Sequence, residues 1–194
     1  MSGFTTARQN MVDGQVRPSD VTDIRILDAM LAVPREAYVP ENKRALAYLD
    51  LDLDVSEGGS VSRFLIKPAV LAKMLQAAEI RETDRVLVVG CTSGYTAAVI
   101  AKFAGQVHSA ADAEGDSANA PFDVIVLNGA TEVVPEKLSG QLRDGGRLVG
   151  VFAISQPARA TIVTRSHGDF GNRALFDAAA PVLPGMERLA AFVF

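Results

Sequence analysis

RVLVVGCTSGYTAAVI, residues 85–100, is the stretch that decides the fold. Four consecutive apolar residues, 86–89, form a run too short for a helix, and a glycine-containing turn and a helix-like run from Tyr95 follow it. This order predicts a strand, a tight turn and the start of a helix. In a parallel α/β sheet, such a unit places backbone N–H groups and the positive end of a helix at the carboxyl edge of a strand, where a nucleotide-like ligand can bind.

The turn itself has the spacing Gly90-x-Thr92-x-Gly94, which lacks the middle glycine of the fuller G-x-G-x-G pattern. A glycine-rich turn alone is a weak motif, because a bare strand-to-helix connection accounts for its glycines about as well as a ligand does. The turn therefore leaves ligand binding and a purely structural connection both open.

Composition narrows the function classes. The chain has 194 residues, 48% of them hydrophobic and 22% charged, which predicts one ordinary globular domain. A net charge of −4 argues against a nucleic-acid partner. One cysteine excludes an internal disulfide, and two isolated histidines argue against a metal site. With no signal-like segment in residues 1–20 and no run of ~18 apolar residues, we expect neither membrane association nor export, and therefore a cytoplasmic location.

Residues 1–60 are predicted to form a helical extension of the core, residues 61–194. A short helix over 4–13 precedes an amphipathic helix around residues 24–31, capped by Asp20 or Thr22 and ended by Pro34. The stretch 50–59, DLDLDVSEGG, could be a calcium loop, but the glycine and glutamate that such a loop needs are absent. Strand-like alternation with a solvated acidic face is favoured.

The core alternates helix and strand before an antiparallel tail. The predicted helices are 69–78, one from Tyr95 to Ala104, and 135–142, and the predicted strands are 86–89, 106–110, 122–127, 147–152, 160–164, 173–176 and 189–194. Turns are expected at Asn128-Gly129 and at Asp144-Gly145-Gly146. The 11 residues 111–121 leave no room for both a helix and a strand. The pattern predicts a Rossmann-like, doubly wound, mostly parallel sheet with an antiparallel C-terminal edge.

Several segments in this order resemble the protein-L-isoaspartate O-methyltransferase family. They are VPREAYVPE, RFLIKPAVLAKMLQAA, VLVVGCTSGYTAAV and APFDVIVLNGATEVVPEKLSGQLRDGGRLVG. The resemblance covers most of the chain. It implies a class I methyltransferase fold with seven strands and a reversed last hairpin, S-adenosylmethionine as cofactor, and a protein or peptide carboxylate as substrate. Compared with that pattern, the short 111–121 segment predicts a sheet that lacks one edge strand.

Compared residue by residue, this sequence lacks several side chains that bind cofactor or substrate in the family it resembles. The acid two places before the first glycine, which helps to hold the cofactor's ammonium group in the family, is Val88 here, and the middle glycine is Thr92. The acid that binds the ribose falls at Ala111, with Asp112 as a substitute one residue later. The family's serine near the isoaspartyl carboxylate corresponds to Ile66, which cannot form a side-chain hydrogen bond.

These losses predict weak or absent activity. Each charge-assisted hydrogen bond contributes roughly 1.5–3 kcal/mol, so losing two carboxylates weakens binding by ~10²–10⁴-fold. No catalytic residue is assigned. The expected cofactor contacts are Gly90, Cys91, Thr92, Gly94, Tyr95, Asp112, Asn128 and Gly129. For Cys91, Tyr95 and Asn128, simple packing or a turn role is an equal alternative.

The sequence leaves three functions open. The first is an isoaspartyl-type methyltransferase of weak activity, and the second is a pseudoenzyme, a non-catalytic binding or scaffold protein on the same fold. The third is a nicotinamide-dependent oxidoreductase, against which the incomplete glycine pattern counts. Gln15 and Arg17 could meet a carboxylate substrate, although a surface salt bridge is the favoured account of Arg17. The sheet edge left by the missing strand raises the hypothesis of a homodimer.

Overall fold

A computed structural model describes residues 3–56, 58 and 63–189, which form a six-stranded sheet, a two-stranded ribbon and surrounding helices. The α-helices are α1 Gly3–Met11, α2 Ile24–Ala32, α3 Pro68–Ala78, α4 Tyr95–Ile100 and α5 Glu136–Ser139. The strands are β1 Leu53–Asp54, β2 Phe64–Leu65, β3 Arg85–Val89, β4 Gln106–Ala110, β5 Phe122–Thr131, β6 Leu142–Phe152, β7 Arg159–Ser166 and β8 Asp169–Asp177. No helix in these described ranges is long and apolar enough to cross a membrane.

The main sheet has the strand order β4-β3-β5-β6-β7-β8. Strands β4, β3, β5 and β6 are parallel to one another, whereas β7 is antiparallel to β6 and β8 is antiparallel to β7. The predicted fold class is therefore confirmed, including the reversed C-terminal hairpin. Residues 111–121 contain turns and no helix or strand, so β4 is left at the edge of the sheet. This arrangement agrees with the expected loss of one edge strand.

The centre of the sheet is buried on both faces, which explains the continuous apolar runs in the sequence. Val86–Val89 on β3 and Val124–Leu127 on β5 are fully buried. Their side chains alternate between two hydrophobic clusters, one on each face of the sheet. The N-terminal extension packs through α1 and α2 into the larger cluster, so the extension and the sheet share one core.

The N-terminal helices follow the predicted pattern, with two corrected boundaries. Helix α1 ends at Met11, and a π-helical turn, Val12–Val16, continues it past the predicted end at residue 13. The amphipathic helix is capped by Asp23, whose side chain accepts a hydrogen bond from the Arg25 N–H, and the predicted caps Asp20 and Thr22 lie outside it. The helix ends at Ala32, before Pro34. Among the described residues of the acidic stretch, Leu53 and Asp54 alone form a strand, with Leu53 buried and Asp54 exposed.

Two predicted turns are wrong because strands continue through them. Strand β5 runs past Asn128-Gly129 to Thr131, and its register against β6 shifts between Val126 and Ala130. Strand β6 begins at Leu142, which pairs with Phe122, so the Asp144-Gly145-Gly146 segment lies inside the strand at a second register shift. A β-bulge of this kind absorbs glycine and asparagine without ending the pairing.

Three other boundaries are corrected. The helix predicted over 135–142 is a single turn, Glu136–Ser139, because β6 starts three residues later. Helix α4 ends at Ile100 rather than Ala104. In the last strand predicted, Leu189 is 91% exposed and outside any strand, and residues 190–194 lie outside the described part of the chain, as do residues 57 and 59 of the acidic stretch.

Candidate functional site

The glycine turn lies at the carboxyl edge of the sheet, as its sequence predicts. Gly90 follows β3 with φ +78°, and Gly94 precedes α4 with φ +84°. Only glycine adopts such backbone angles without strain, which explains both positions. The Gly90 N–H donates to the Ala110 carbonyl at 2.9 Å, so the turn is tied to the end of β4.

Asn128 fixes the turn from the neighbouring strand. Its side chain is 2% exposed, and its Oδ1 accepts a hydrogen bond from Thr96 Oγ1 at 2.7 Å. Its Nδ2 donates to the Phe64 carbonyl at 3.2 Å and to the Gly90 carbonyl at 3.4 Å. Because these bonds join β2, β3, β5 and α4, Asn128 holds the carboxyl edge of the sheet together.

A segment near the C-terminus covers the same edge. Residues 181–186, here called the strap, lie beside the end of β5, and Val182 forms a parallel bridge with Ala130. The Leu183 side chain lies over two glycines. A Cβ added at Gly90 would be 2.4 Å from Leu183 Cδ2, and one added at Gly129 would be 2.7 Å from the same atom. The two glycines therefore make room for a leucine.

Little space remains between the strap and the turn. The cavity there has a volume of about 20 Å³ and is lined by Arg63, Phe64, Gly90, Thr92, Ala111, Asn128, Pro181, Val182, Leu183 and Pro184. One water molecule needs roughly 10–15 Å³ of such space, whereas small-molecule pockets measure about 300–1,000 Å³. In this conformation the space above the turn holds about one water and no nucleotide-sized ligand.

The described residues that line this cavity include no aspartate or glutamate in place of the acids that the resemblance led us to expect. Val88 is fully buried within β3. Asp112 is exposed, and its Oδ1 accepts a hydrogen bond from the Glu114 N–H at 3.0 Å in a local turn. Of the eight expected contacts, Gly90, Thr92 and Asn128 line the cavity and Gly129 lies beneath Leu183, whereas Asp112 is outside the lining.

Cys91 and Tyr95 point into the core. Cys91 is 6% exposed, and burial raises the pKa of its thiol, which keeps it in the poorly nucleophilic protonated form. Tyr95 is fully buried, with its ring 5.6 Å from Tyr38 in an edge-on arrangement and 4.9 Å from the guanidinium carbon of Arg35. The packing alternative therefore describes both side chains.

A second, larger cavity borders the other side of the turn. It measures about 470 Å³ and is lined by Ala37, Tyr38, Val39, Pro40, Glu41, Arg44, Val55, Arg63, Thr92 and Ser93. Two arginines and one glutamate give its rim a positive balance, which suits a carboxylate ligand. The sequence contained no pattern that singled out Arg44 or Arg63, because they come from separate segments that meet only in the fold.

The other predicted candidates lie elsewhere. Arg17 forms a surface ion pair with Asp13 at 3.0 Å, as the favoured reading expected. Gln15 donates to the Tyr48 carbonyl at 2.8 Å and lines neither cavity at the turn. Sequence reasoning missed Leu183, and the only signal available was an apolar residue close to Pro181 and Pro184.

Comparisons with known proteins agree on one family. The family model described as protein-L-isoaspartate(D-aspartate) O-methyltransferase matches residues 6–114 and 106–170. A protein-L-isoaspartate O-methyltransferase of Roseiflexus sp. is 37% identical over 193 residues, which cover 86% of this chain and 86% of the relative. One of Opitutus terrae is 37% identical over 195 residues, which cover 84% of this chain and 81% of the relative.

Solved structures are similar in fold. A protein-L-isoaspartate O-methyltransferase superimposes with a TM-score of 0.78 at 20% identity, covering 92% of this chain and 66% of that one. A putative protein-L-isoaspartate O-methyltransferase from Plasmodium falciparum, in complex with S-adenosyl-L-homocysteine, gives 0.72 at 16% identity, covering 94% of this chain and 99% of that one.

Proposed function

Because the chain belongs to the protein-L-isoaspartate(D-aspartate) O-methyltransferase family, we propose that it is a protein carboxyl methyltransferase of the isoaspartyl type with strongly reduced activity. The family match over residues 6–170 is the observation that carries the reaction class. The reduction is argued from the residues and the cavity of this chain alone, since the matched relatives carry the name of the enzyme without any sign of lost activity.

The family uses S-adenosylmethionine, and the residues of the turn do not fit that donor in the described conformation. The space over Gly90 is about 20 Å³ and is closed by Leu183. Val88 is buried and offers no carboxylate for the donor's ammonium group, and Ala111 offers none for a ribose.

The carboxylate acceptor is supported by the polar cavity on the other side of the turn. Its volume of about 470 Å³ admits a short peptide side chain, and Arg44 and Arg63 supply positive charge at its rim. Thr92 lines both cavities, so an acceptor bound in the larger one would lie next to the turn. An isoaspartyl residue of a protein is the acceptor that the family name specifies.

The test measures transfer of labelled methyl groups from S-adenosylmethionine to an isoaspartyl peptide, beside the Roseiflexus relative as a reference. Losing two carboxylate contacts weakens donor binding by ~10²–10⁴-fold, so we expect the rate at micromolar donor to be at least ~100-fold below the reference. Millimolar donor should recover part of the difference, because binding limits the reaction. Equal rates at micromolar donor would refute the proposed reduction.

A second candidate, a non-catalytic binding protein on this fold, is favoured by the closed cavity alone. The two candidates differ in one measurement, since a non-catalytic protein transfers no label at any donor concentration. The absence of incorporation at millimolar donor, with the reference active in the same assay, would select the binding protein. The nicotinamide alternative receives no support from the family assignment.

A further inference from the structure

The strap is held on the sheet by backbone hydrogen bonds to one end of β5. The Ala130 N–H donates to the Pro181 carbonyl at 2.8 Å, and the Leu183 N–H donates back to the Ala130 carbonyl at 2.8 Å. The Glu132 N–H donates to the Met186 carbonyl at 2.9 Å. The strap therefore pairs with the end of β5 in a strand-like manner, and hydrogen bonds rather than a cross-link hold it there.

The strap has two apolar side chains that anchor it. Leu183 is 7% exposed and Met186 is 1% exposed, and both belong to the smaller hydrophobic cluster of the sheet. Leu183 differs from Met186 because it lies directly on Gly90 and Gly129, the two glycines of the carboxyl edge. Because glycine has no side chain, another group can pack directly against its backbone, and here that group is the Leu183 side chain of the same molecule.

We infer that Leu183 and the strap close the donor site of this protein from within, so that a donor molecule binds only after the strap leaves the end of β5. The inference rests on the proposed function for the identity of the site. The remaining space of about 20 Å³ is far smaller than a nucleotide-sized ligand, so ligand and strap exclude each other. Opening breaks the three backbone hydrogen bonds and exposes the leucine, and the apparent affinity falls by the fraction of molecules that are open.

The test compares binding of S-adenosylhomocysteine, measured by calorimetry, to the wild type, Leu183→Ala and Leu75→Ala. Leu75 is also buried, at 1% exposed, but lies in α3 away from the turn cavity, so it controls for general destabilisation. We expect Leu183→Ala to bind at least tenfold more tightly than the wild type and Leu75→Ala to bind as the wild type does. Tight wild-type binding that Leu183→Ala leaves unchanged or weakens would overturn the inference, and so would no binding to any of the three proteins.

Amide hydrogen exchange gives a second measurement that does not depend on turnover. In the wild type with saturating S-adenosylhomocysteine, the amides of Ala130, Leu183 and Glu132 should exchange faster, because their partners separate when the strap leaves. Unchanged or slower exchange at these amides in the bound state would show that ligand and strap coexist, which contradicts the inference.

The experiments distinguish a wrong inference about the strap from a wrong proposal about the reaction. If Leu183→Ala binds S-adenosylhomocysteine more tightly but transfers no methyl groups from S-adenosylmethionine, the strap inference stands and the proposed reaction fails. If the wild type transfers methyl groups and Leu183→Ala has neither higher affinity nor higher rate, the reaction stands and the strap inference fails.

Discussion

Arg35 joins several segments of the N-terminal packing beneath the turn. It is 1% exposed, its Nε donates to the Ala47 carbonyl at 2.8 Å, and its Nη2 donates to the Ile66 carbonyl at 2.9 Å. Its guanidinium also lies over the ring of Tyr95. Burial lowers the pKa of Arg35, while the neighbouring Tyr95 opposes that shift.

We expect Arg35→Ala to lower the free energy of unfolding by about 3 kcal/mol or more. The substitution leaves two buried carbonyls without donors, and each such group costs about 1–3 kcal/mol. Urea denaturation at pH 7 measures the effect. The control is Arg44→Ala, an exposed arginine in the next helical turn, for which a change within about 0.5 kcal/mol is expected. Similar losses in the two variants would contradict the role assigned to Arg35.

At the scale of elements, the sheet has an open edge at β4. In the described residues, β4 pairs only with β3, and Gln106–Ala110 is partly exposed along its length. An unpaired strand edge is a template for a second chain. We therefore expect a homodimer formed through β4, and light scattering over a wide concentration range should detect it.

Ser109→Lys tests this edge directly, because a lysine on an edge strand opposes pairing with another chain. The exposed Ser109 side chain leaves the core untouched. Its control is Thr164→Lys, an exposed position on β7, which already pairs on both sides. Ser109→Lys should be monomeric where the wild type and Thr164→Lys are dimeric. A monomeric wild type at high concentration would remove the hypothesis.

The elements differ in how far sequence alone could predict them. Strands β3 and β5 and helix α3 were predictable because their apolar runs are governed by local period and burial. The end of β5 and the start of β6 were not, because pairing of Thr131 with Phe152 carries β5 past Asn128-Gly129, and pairing of Leu142 with Phe122 starts β6 before the glycines at 145–146. At these positions, pairing with the adjacent strand outweighs the local turn propensity. Which strands are adjacent cannot be seen from a single sequence.

For the whole molecule, the fold and the meeting of the glycine turn with Asn128 at one sheet edge were predictable, whereas the strap that covers them was not. Gly90, Thr92 and Asn128 meet at the predicted edge because parallel strands bring their carboxyl ends together. Leu183 is more than 50 residues further along the chain, and its contact with Gly90 depends on the path of the strap after β8. Long-range contacts of one apolar side chain leave no local pattern in a sequence.

Three buried acidic groups, one cysteine thiol and two tyrosine hydroxyls, make the folded molecule less stable at alkaline pH. Burial raises the pKa of Cys91, Tyr95 and Tyr48, and a hydrogen bond from Tyr48 to Glu36 adds to the shift at Tyr48. In the unfolded chain these groups ionise near pH ~8.5 for cysteine and ~10 for tyrosine. Between those values and the higher folded ones, the unfolded state has released protons that the folded state keeps, so the free energy of unfolding falls as pH rises.

We expect stability to be unaffected by these groups below pH ~8 and to decrease above pH ~10 with a slope of about 1.4 kcal/mol per pH unit for each ionising group. Urea denaturation at pH 7, 9, 10 and 11 measures the slope. Tyr48→Phe removes one of the three groups and should reduce the slope above pH ~10 by about 1.4 kcal/mol per pH unit. A Tyr48→Phe slope identical to that of the wild type would mean that Tyr48 ionises equally in both states, contrary to its burial beside Glu36.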